Sequence, residues 1–191
     1  MICAILEGRK TMTRRPVKPQ PFMQSLDGIP IQEINKKLHA LTNGSCKRCP
    51  FGQVGDRLWV RETWAIEHLN YDSHCKCSIK YFANNKIEDF KAFPIKDRYK
   101  YLGKYQKRPS IHMPRWASRI TLEITNIRVE RLQEISEEDA KREGCDAIRG
   151  EGCSFYLARQ GFELLWGVLY SPKGFHWRDN PWVWVIEYKR I

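Results

Sequence analysis

The chain has 191 residues, 42% of them apolar and 29% charged, with seven Trp, eight Tyr and eight Phe. That aromatic content offers enough surface to offset the entropy of ordering, which argues against a disordered chain. No apolar run approaches the ~18 residues of a membrane span. Thirty-three Lys and Arg against 22 Asp and Glu leave a net charge of +11, a field that favours a polyanion or a phosphate-bearing substrate. The length reads as one domain over 1–191. Glu7, Arg9 and Lys10 interrupt the opening apolar residues too early for a secretory leader, so a cytoplasmic protein without membrane contact is expected.

In chain order, Ile2, Ile5 and Leu6 are spaced for one helix face, predicting a helix over 2–14 that Pro16 stops. Five of the ten prolines fall between Pro16 and Pro50, a loop with room for a short helix over 31–41. After the turn Gly52–Asp56, the run Arg57–Ala65 is rich in β-favouring residues and predicts a strand. Ser78–Ala83 predicts another. Asn84–Gln106 is polar, basic and Tyr-rich, and reads as an insertion, extending to about 117, with little regular structure. In Ser118–Leu132, Ile120, Leu122 and Ile124 alternate with polar residues before Ile127 and Val129 take over the phase. That slip predicts a strand with a bulge or bend near Asn126.

Ser136, followed by three acids and then by Gly144, predicts a capped short helix over 137–143. A second helix is predicted over 155–170 with Ser154 as its cap, and Tyr156, Ala158, Phe162, Leu165, Trp166 and Leu169 as its apolar stripe. Pro181–Arg190 is aromatic and β-branched, the pattern of a central strand buried on both faces. Trp59, Trp182 and Trp184 are expected in the core. Strands with a few helices and no βαβ rhythm predict an α+β protein built on a small mixed barrel or a curled sheet.

Two stretches are basic and free of acids. Gly8–Pro19 holds Arg9, Lys10, Arg14, Arg15 and Lys18, and Arg98–Arg119 holds seven cations interleaved with Tyr99, Tyr101, Tyr105 and Trp116. Cations neutralise phosphates and flat rings stack on unpaired bases, which points to a nucleoside or single-stranded nucleic acid as partner. Arg9, Arg14, Arg15, Arg108, Arg115, Trp116 and Arg119 are the candidate contacts. Seven cysteines in a cytosolic chain favour thiols or metal over disulfides. Cys46-x-x-Cys49 and Cys75-x-Cys77 lie in a loop region at about 43–77 and form a candidate structural zinc site, which would clip two loops and leave no open coordination position. Unligated surface thiols are the competing reading. Cys3, Cys145 and Cys153 read as single thiols that pack as small hydrophobes.

Three segments together resemble the ASCH-domain family, whose small barrels are related to the PUA RNA-binding fold. Ile5-Leu-Glu-Gly-Arg-Lys-Thr-Met-Thr-Arg14 is similar to the family's Gly-x-Lys-x-x-Thr/Glu-x-Arg signature, with Gly8, Lys10 and Thr13 in register and Arg15 at its close. Gly55-Asp-Arg-Leu58 is similar to the turn entering a barrel strand. The third segment joins Ile120–Gly144 to the end Trp184–Lys189. The Pro-rich start and the stretch Arg108–Arg119 also look like family members found in phages and prophages, which implies the cytoplasm of a bacterial host.

Within that family the closest known chemistry is that of small bacterial amidohydrolases that deacetylate N4-acetylcytidine. The resemblance implies Lys10, Thr13 and Glu143 as catalytic residues and no cofactor, with Glu123 and Glu62 as rivals for the carboxylate. The residue types suit amide hydrolysis, since a Thr hydroxyl needs a base to become a nucleophile. A Lys desolvated among cations has a lowered pKa and can be that base, and a carboxylate can protonate the departing amine or position water. On a helix, positions 10 and 13 would share one face. The same residues also suit bland roles, with Lys10 on a phosphate, Thr13 capping a turn and Glu143 on a solvated helix. A non-catalytic RNA- or DNA-binding module and a ribonuclease of the same family are the alternative functions.

Overall fold

The computed structural model describes residues 1–20, 31–34, 37–42, 45–69, 77–90, 106–145, 148–149 and 155–191. In chain order the elements are α1 (Ile2–Leu6), β1 (Met12–Pro16), β2 (Ile31–Ile34), β3 (Lys37–Thr42), β4 (Ser45–Arg48), β5 (Arg57–Trp59), β6 (Trp64–Leu69), β7 (Cys77–Tyr81) and β8 (Lys86–Phe90). They continue with β9 (Thr121–Arg131), α2 (Glu137–Arg142), β10 (Ile148–Arg149), β11 (Phe155–Tyr156), α3 (Ala158–Tyr170) and β12 (Trp182–Arg190). The protein is mixed α+β, with a curled antiparallel sheet that forms a half-barrel and a few short helices. No helix among the described residues is long and apolar enough to cross a membrane. The chain divides into two compact units. The first comprises Met1, Cys3–Arg57 and Glu123–Arg190; the second comprises Ile2, Leu58–Leu122 and Ile191.

The first unit is organised by β12. The sheet order is β1-β12-β9-β5, and the β1–β12 pair is antiparallel with Met12 opposite Glu187 and Arg14 opposite Val185. Every residue from Trp182 to Ile186 is buried, as a central strand requires, and the alternation of pleated side chains gives each face its own set. Val183 and Val185 join Met12, Leu132, Ala140, Phe162, Trp166 and Tyr170 in one apolar cluster, which packs α2 and α3 onto the sheet. In β9 the buried positions are Leu122 and Ile124, then Ile127 and Val129, with Thr125 and Asn126 exposed between them. The phase slip near Asn126 is present. β2, β3 and β4 form an antiparallel sheet, in place of the short helix expected over 31–41. Cross-strand partners satisfy that backbone and override a weak local preference.

Two helix expectations are corrected at their boundaries. The opening helix ends at Leu6 instead of reaching Arg14, because Gly8 takes a left-handed φ of +76°, a conformation that ends a helix and costs glycine nothing. Thr13 therefore lies on β1 and shares no helix face with Lys10. The later helix begins at Ala158 rather than Phe155, since Phe155–Tyr156 pair with Ile148–Arg149 as strands, and Leu157 occupies its cap. Of the stripe expected on α3, Ala158, Phe162 and Trp166 are buried, whereas Leu169 is exposed and Tyr170 takes its place inside. α2 is as expected: Ser136 Oγ accepts from the Asp139 amide, and Gly144 at φ +84° terminates it.

In the second unit β6, β7 and β8 form an antiparallel sheet. Its core holds Trp64, Ile66, Cys77, Ile79, Tyr81, Met113 and Ala117. The expected strand over 57–65 is broken into β5 and β6. β8 lies inside the segment expected to lack regular structure; Asn85, at φ +54°, permits the tight turn that returns the chain beside β7. The region 43–77, expected as loop, carries β4, β5 and β6. Trp59 is half-buried rather than in the core, unlike Trp182 and Trp184. The Tyr-rich residues 91–105 lie outside the described ones.

Candidate active site

Lys10 and Glu143, 133 residues apart in sequence, meet inside the first unit. The Lys10 side chain is 5% exposed and that of Glu143 3%. Lys10 Nζ donates to Glu143 Oε2 at 2.7 Å, to the Glu143 carbonyl at 2.7 Å and to the Met12 carbonyl at 2.8 Å. Glu143 caps the C-terminus of α2, and Lys10 follows the Gly8 turn, so two helix ends set the meeting point. Gly144 makes the approach possible: a Cβ there would lie 3.2 Å from both Lys10 Cβ and Ala4 Cβ. Burial lowers the Lys10 pKa; the Glu143 carboxylate opposes the shift without cancelling it, and the charge of Arg15 adds to it.

The second carboxylate oxygen is handled differently. Glu143 Oε1 is buried and accepts no hydrogen bond among the described residues. A terminal guanidinium nitrogen of Arg14 lies 3.6 Å from it. Arg14 shares the buried side of β1 with Met12 and Pro16, and its guanidinium donates to Asp139 at 2.7 Å and Glu130 at 3.2 Å. Arg128 continues the chain of charges to Asp139, Glu130 and Glu187, and Arg142 bonds Glu187 at 2.7 Å. Four cations and four carboxylates thus alternate from Lys10 to Arg142. The sequence reading missed Arg128, Glu130, Asp139 and Glu187. A usable signal was present: Arg128 and Glu130 alternate along β9 after its phase slip, so they share one face.

Thr13 is half-buried on β1, and among the described residues no hydrogen bond links it to Lys10 or Glu143. Its side chain alternates with those of Met12 and Arg14 and shares a strand face with Arg15. Tyr188 lies close to the pair: its hydroxyl is 3.4 Å from the Met12 carbonyl, and burial, with Glu143 nearby, pushes its pKa up.

The rival carboxylates are placed elsewhere. Glu123 pairs with exposed Lys189 at 2.9 Å. Glu62 lies in the second unit, where both of its oxygens accept from Arg119, at 2.9 and 2.8 Å.

The candidate polyanion contacts divide into exposed and internal residues. Arg9 is exposed and bonds Glu7 at 2.8 Å; Arg15 is exposed and donates to the Tyr170 hydroxyl at 2.6 Å; Arg115 is exposed above the Trp59 ring. Arg108 is half-buried over Trp64, and Trp116 packs edge-on against Trp64 at 6.0 Å. Arg14 and Arg119 lie inside, their guanidinium groups engaged by carboxylates, so as folded they do not face a polyanion.

Of the candidate zinc ligands, Cys49 is buried in the first unit. Cys77 is buried in the second-unit core, where burial pushes its thiol up to about 11. Cys75 and the side chain of Cys46 lie outside the described residues. Among the described residues no group of three or more His, Cys, Asp and Glu could hold a metal ion. Cys3 and Cys145 are half-buried, and Cys153 lies outside the described residues. Compared with protein-family models, curated proteins and solved structures, the chain matches none.

Proposed function

We propose that the first unit is an amidohydrolase that removes the acyl group from N4-acylated cytosine at the nucleoside level, as the ASCH-like motif implies, using Lys10, Thr13 and Glu143. The observation that carries this reading is the buried 2.7 Å contact between Lys10 and Glu143 with Glu143 Oε1 left open. One carboxylate oxygen is fixed and the other is free to accept a proton. Burial that lowers the Lys10 pKa brings the pair closer to exchanging a proton at neutral pH.

The reaction runs in two symmetrical steps. Thr13 Oγ1 attacks the acyl carbon, and its proton passes to the Lys10–Glu143 pair. The pair returns that proton to N4 as the C–N bond breaks, which releases cytidine and leaves an acyl-threonine. Water then attacks the ester, gives its proton to the same pair, and frees the carboxylic acid as Thr13 recovers its hydrogen. Exposed Arg15 and Arg9 suit the anionic product.

The test mixes purified protein with N4-acetylcytidine and its deoxy form and follows loss of the acetyl mass, beside Lys10→Ala. Conversion by the wild type that drops by roughly 10²–10⁴ in the variant supports the reading. No conversion of either nucleoside, or a Lys10→Ala rate equal to wild type, overturns it.

A further inference from the structure

Two aromatic rings of the second unit are partly exposed, and each lies beside two cations. The Trp59 ring has the Arg61 guanidinium 5.5 Å and the Arg115 guanidinium 5.9 Å from its centroid. The Phe82 ring has Lys107 Nζ at 4.9 Å and Lys80 Nζ at 5.9 Å. One segment visits both rings: Lys107 sits at Phe82, the Ile111 carbonyl accepts from Arg61 at 3.3 Å, and Arg115 reaches Trp59. Arg61, Lys107, Ile111 and Arg115 are exposed. Residues 106–119 contain no acid; Glu62 gives both oxygens to Arg119, and Glu88 bridges Arg119 and exposed Lys86. The segment 107–115 thus carries Lys107, Arg108 and Arg115 with no acid of its own.

We propose that the segment 107–115, with Trp59 and Phe82, is a docking surface for single-stranded nucleic acid. The rings stack unpaired bases and the adjacent cations neutralise phosphates. Every base offers a π-face, so stacking of this kind tolerates sequence. A duplex hides its bases and would use the cations alone, and an acidic peptide would likewise leave the rings idle. The surface shares no residue with those assigned to amide hydrolysis, so it stands whether or not that reaction occurs.

The test is fluorescence anisotropy of the full chain with labelled oligothymidylate and oligouridylate of about 20 nucleotides, across roughly 50–200 mM salt. Unlabelled duplex and polyglutamate serve as competitors. Both single strands are expected to bind, with affinity falling steeply in salt. Trp59→Ala and Phe82→Ala should each weaken binding about tenfold, and Trp59→Phe should recover most of the loss. Because those rings are partly packed, the exposed double variant Arg61→Gln/Arg115→Gln decides independently of folding, by a shallower salt slope. A preference between the two strands tells DNA from RNA within the proposal. No binding at the lowest salt, equal competition by duplex or polyglutamate, or ring and arginine variants that bind like the wild type would overturn it.

Discussion

Among the described residues two carboxylates are almost wholly buried, one in each unit, and each is held by a cation from a distant part of the chain. Glu62 gives both oxygens to the forked guanidinium of Arg119, which lies 3.9 Å from the Tyr81 ring centroid and also reaches Asn84 and Glu88. Glu143 gives one oxygen to Lys10 and keeps the other unbonded. A bidentate arginine fork satisfies a carboxylate and fixes it in place. An ammonium is a point donor and leaves the second oxygen to something else. A closed pair is what packing needs; a half-open one costs desolvation that packing alone does not require. Glu62 thus has both oxygens hydrogen-bonded, whereas Glu143 Oε1 meets the Arg14 guanidinium only at 3.6 Å, the difference on which the proposed role of Glu143 rests.

The most severe test of that contrast exchanges each carboxylate for its amide. Glu143→Gln should lower deacylation of N4-acetylcytidine by about 10²–10⁴, while Glu62→Gln leaves the rate near wild type but unfolds the chain at lower urea. Equal rate losses in the two variants would erase the distinction. Next in size, Arg119→Ala strands Glu62 inside the second unit and should cost about 3–5 kcal/mol, read from the urea midpoint. Gly144→Ala should cost about 1–2 kcal/mol, because the residue is left-handed and its new Cβ would press on Lys10 Cβ at 3.2 Å. Its deacylation rate should fall with its stability, whereas Gly174→Ala, also left-handed but with nothing within 4 Å of the added carbon, should spare the rate.

The smallest effect concerns acid. Burial pushes the Glu187 carboxyl up, but the hydrogen bond and charge of Arg142, with Arg128 beside it, hold it below its ordinary 4.5. A lowered carboxylate binds fewer protons folded than unfolded, so its contribution is present above pH 4.5 and lost as the pH falls below it. Urea midpoints measured from about pH 6 to about pH 3 should decline less steeply in Glu187→Gln than in wild type.

The elements that could be read from the sequence were those in which one local rule acted alone. Ser136 with its three following acids marked α2, the run of buried β-formers marked β12, and the slip from Ile124 to Ile127 marked the irregularity of β9. The sequence reading also grouped Lys10 with Glu143, through the resemblance of the Gly8–Arg15 motif rather than through any spacing. Misreadings arose where a tertiary partner changed the meaning of a residue. Arg14 looked like a solvent-facing cation, yet it fills a buried β1 position because Asp139 and Glu130 meet it there. Arg119 looked like a phosphate contact, but Glu62 lies beneath it and holds its fork. Hydropathy patterns treat every arginine as exposed, and none of these three carboxylates is near its arginine in sequence.

The pairing of β1 with β12 has a consequence for how the protein comes into being. The Met12 carbonyl and the Tyr188 hydroxyl, neighbours in the fold, are 176 residues apart in sequence. At ribosomal rates of roughly 5–20 residues per second, β1 waits on the order of ten to thirty seconds for its partner strand. Until then its unpaired edge, with Arg14 and Arg15 at its centre, is kept from sticking to other chains by charge. In the finished fold the same Arg14 is an internal counter-ion to Asp139 and Glu130.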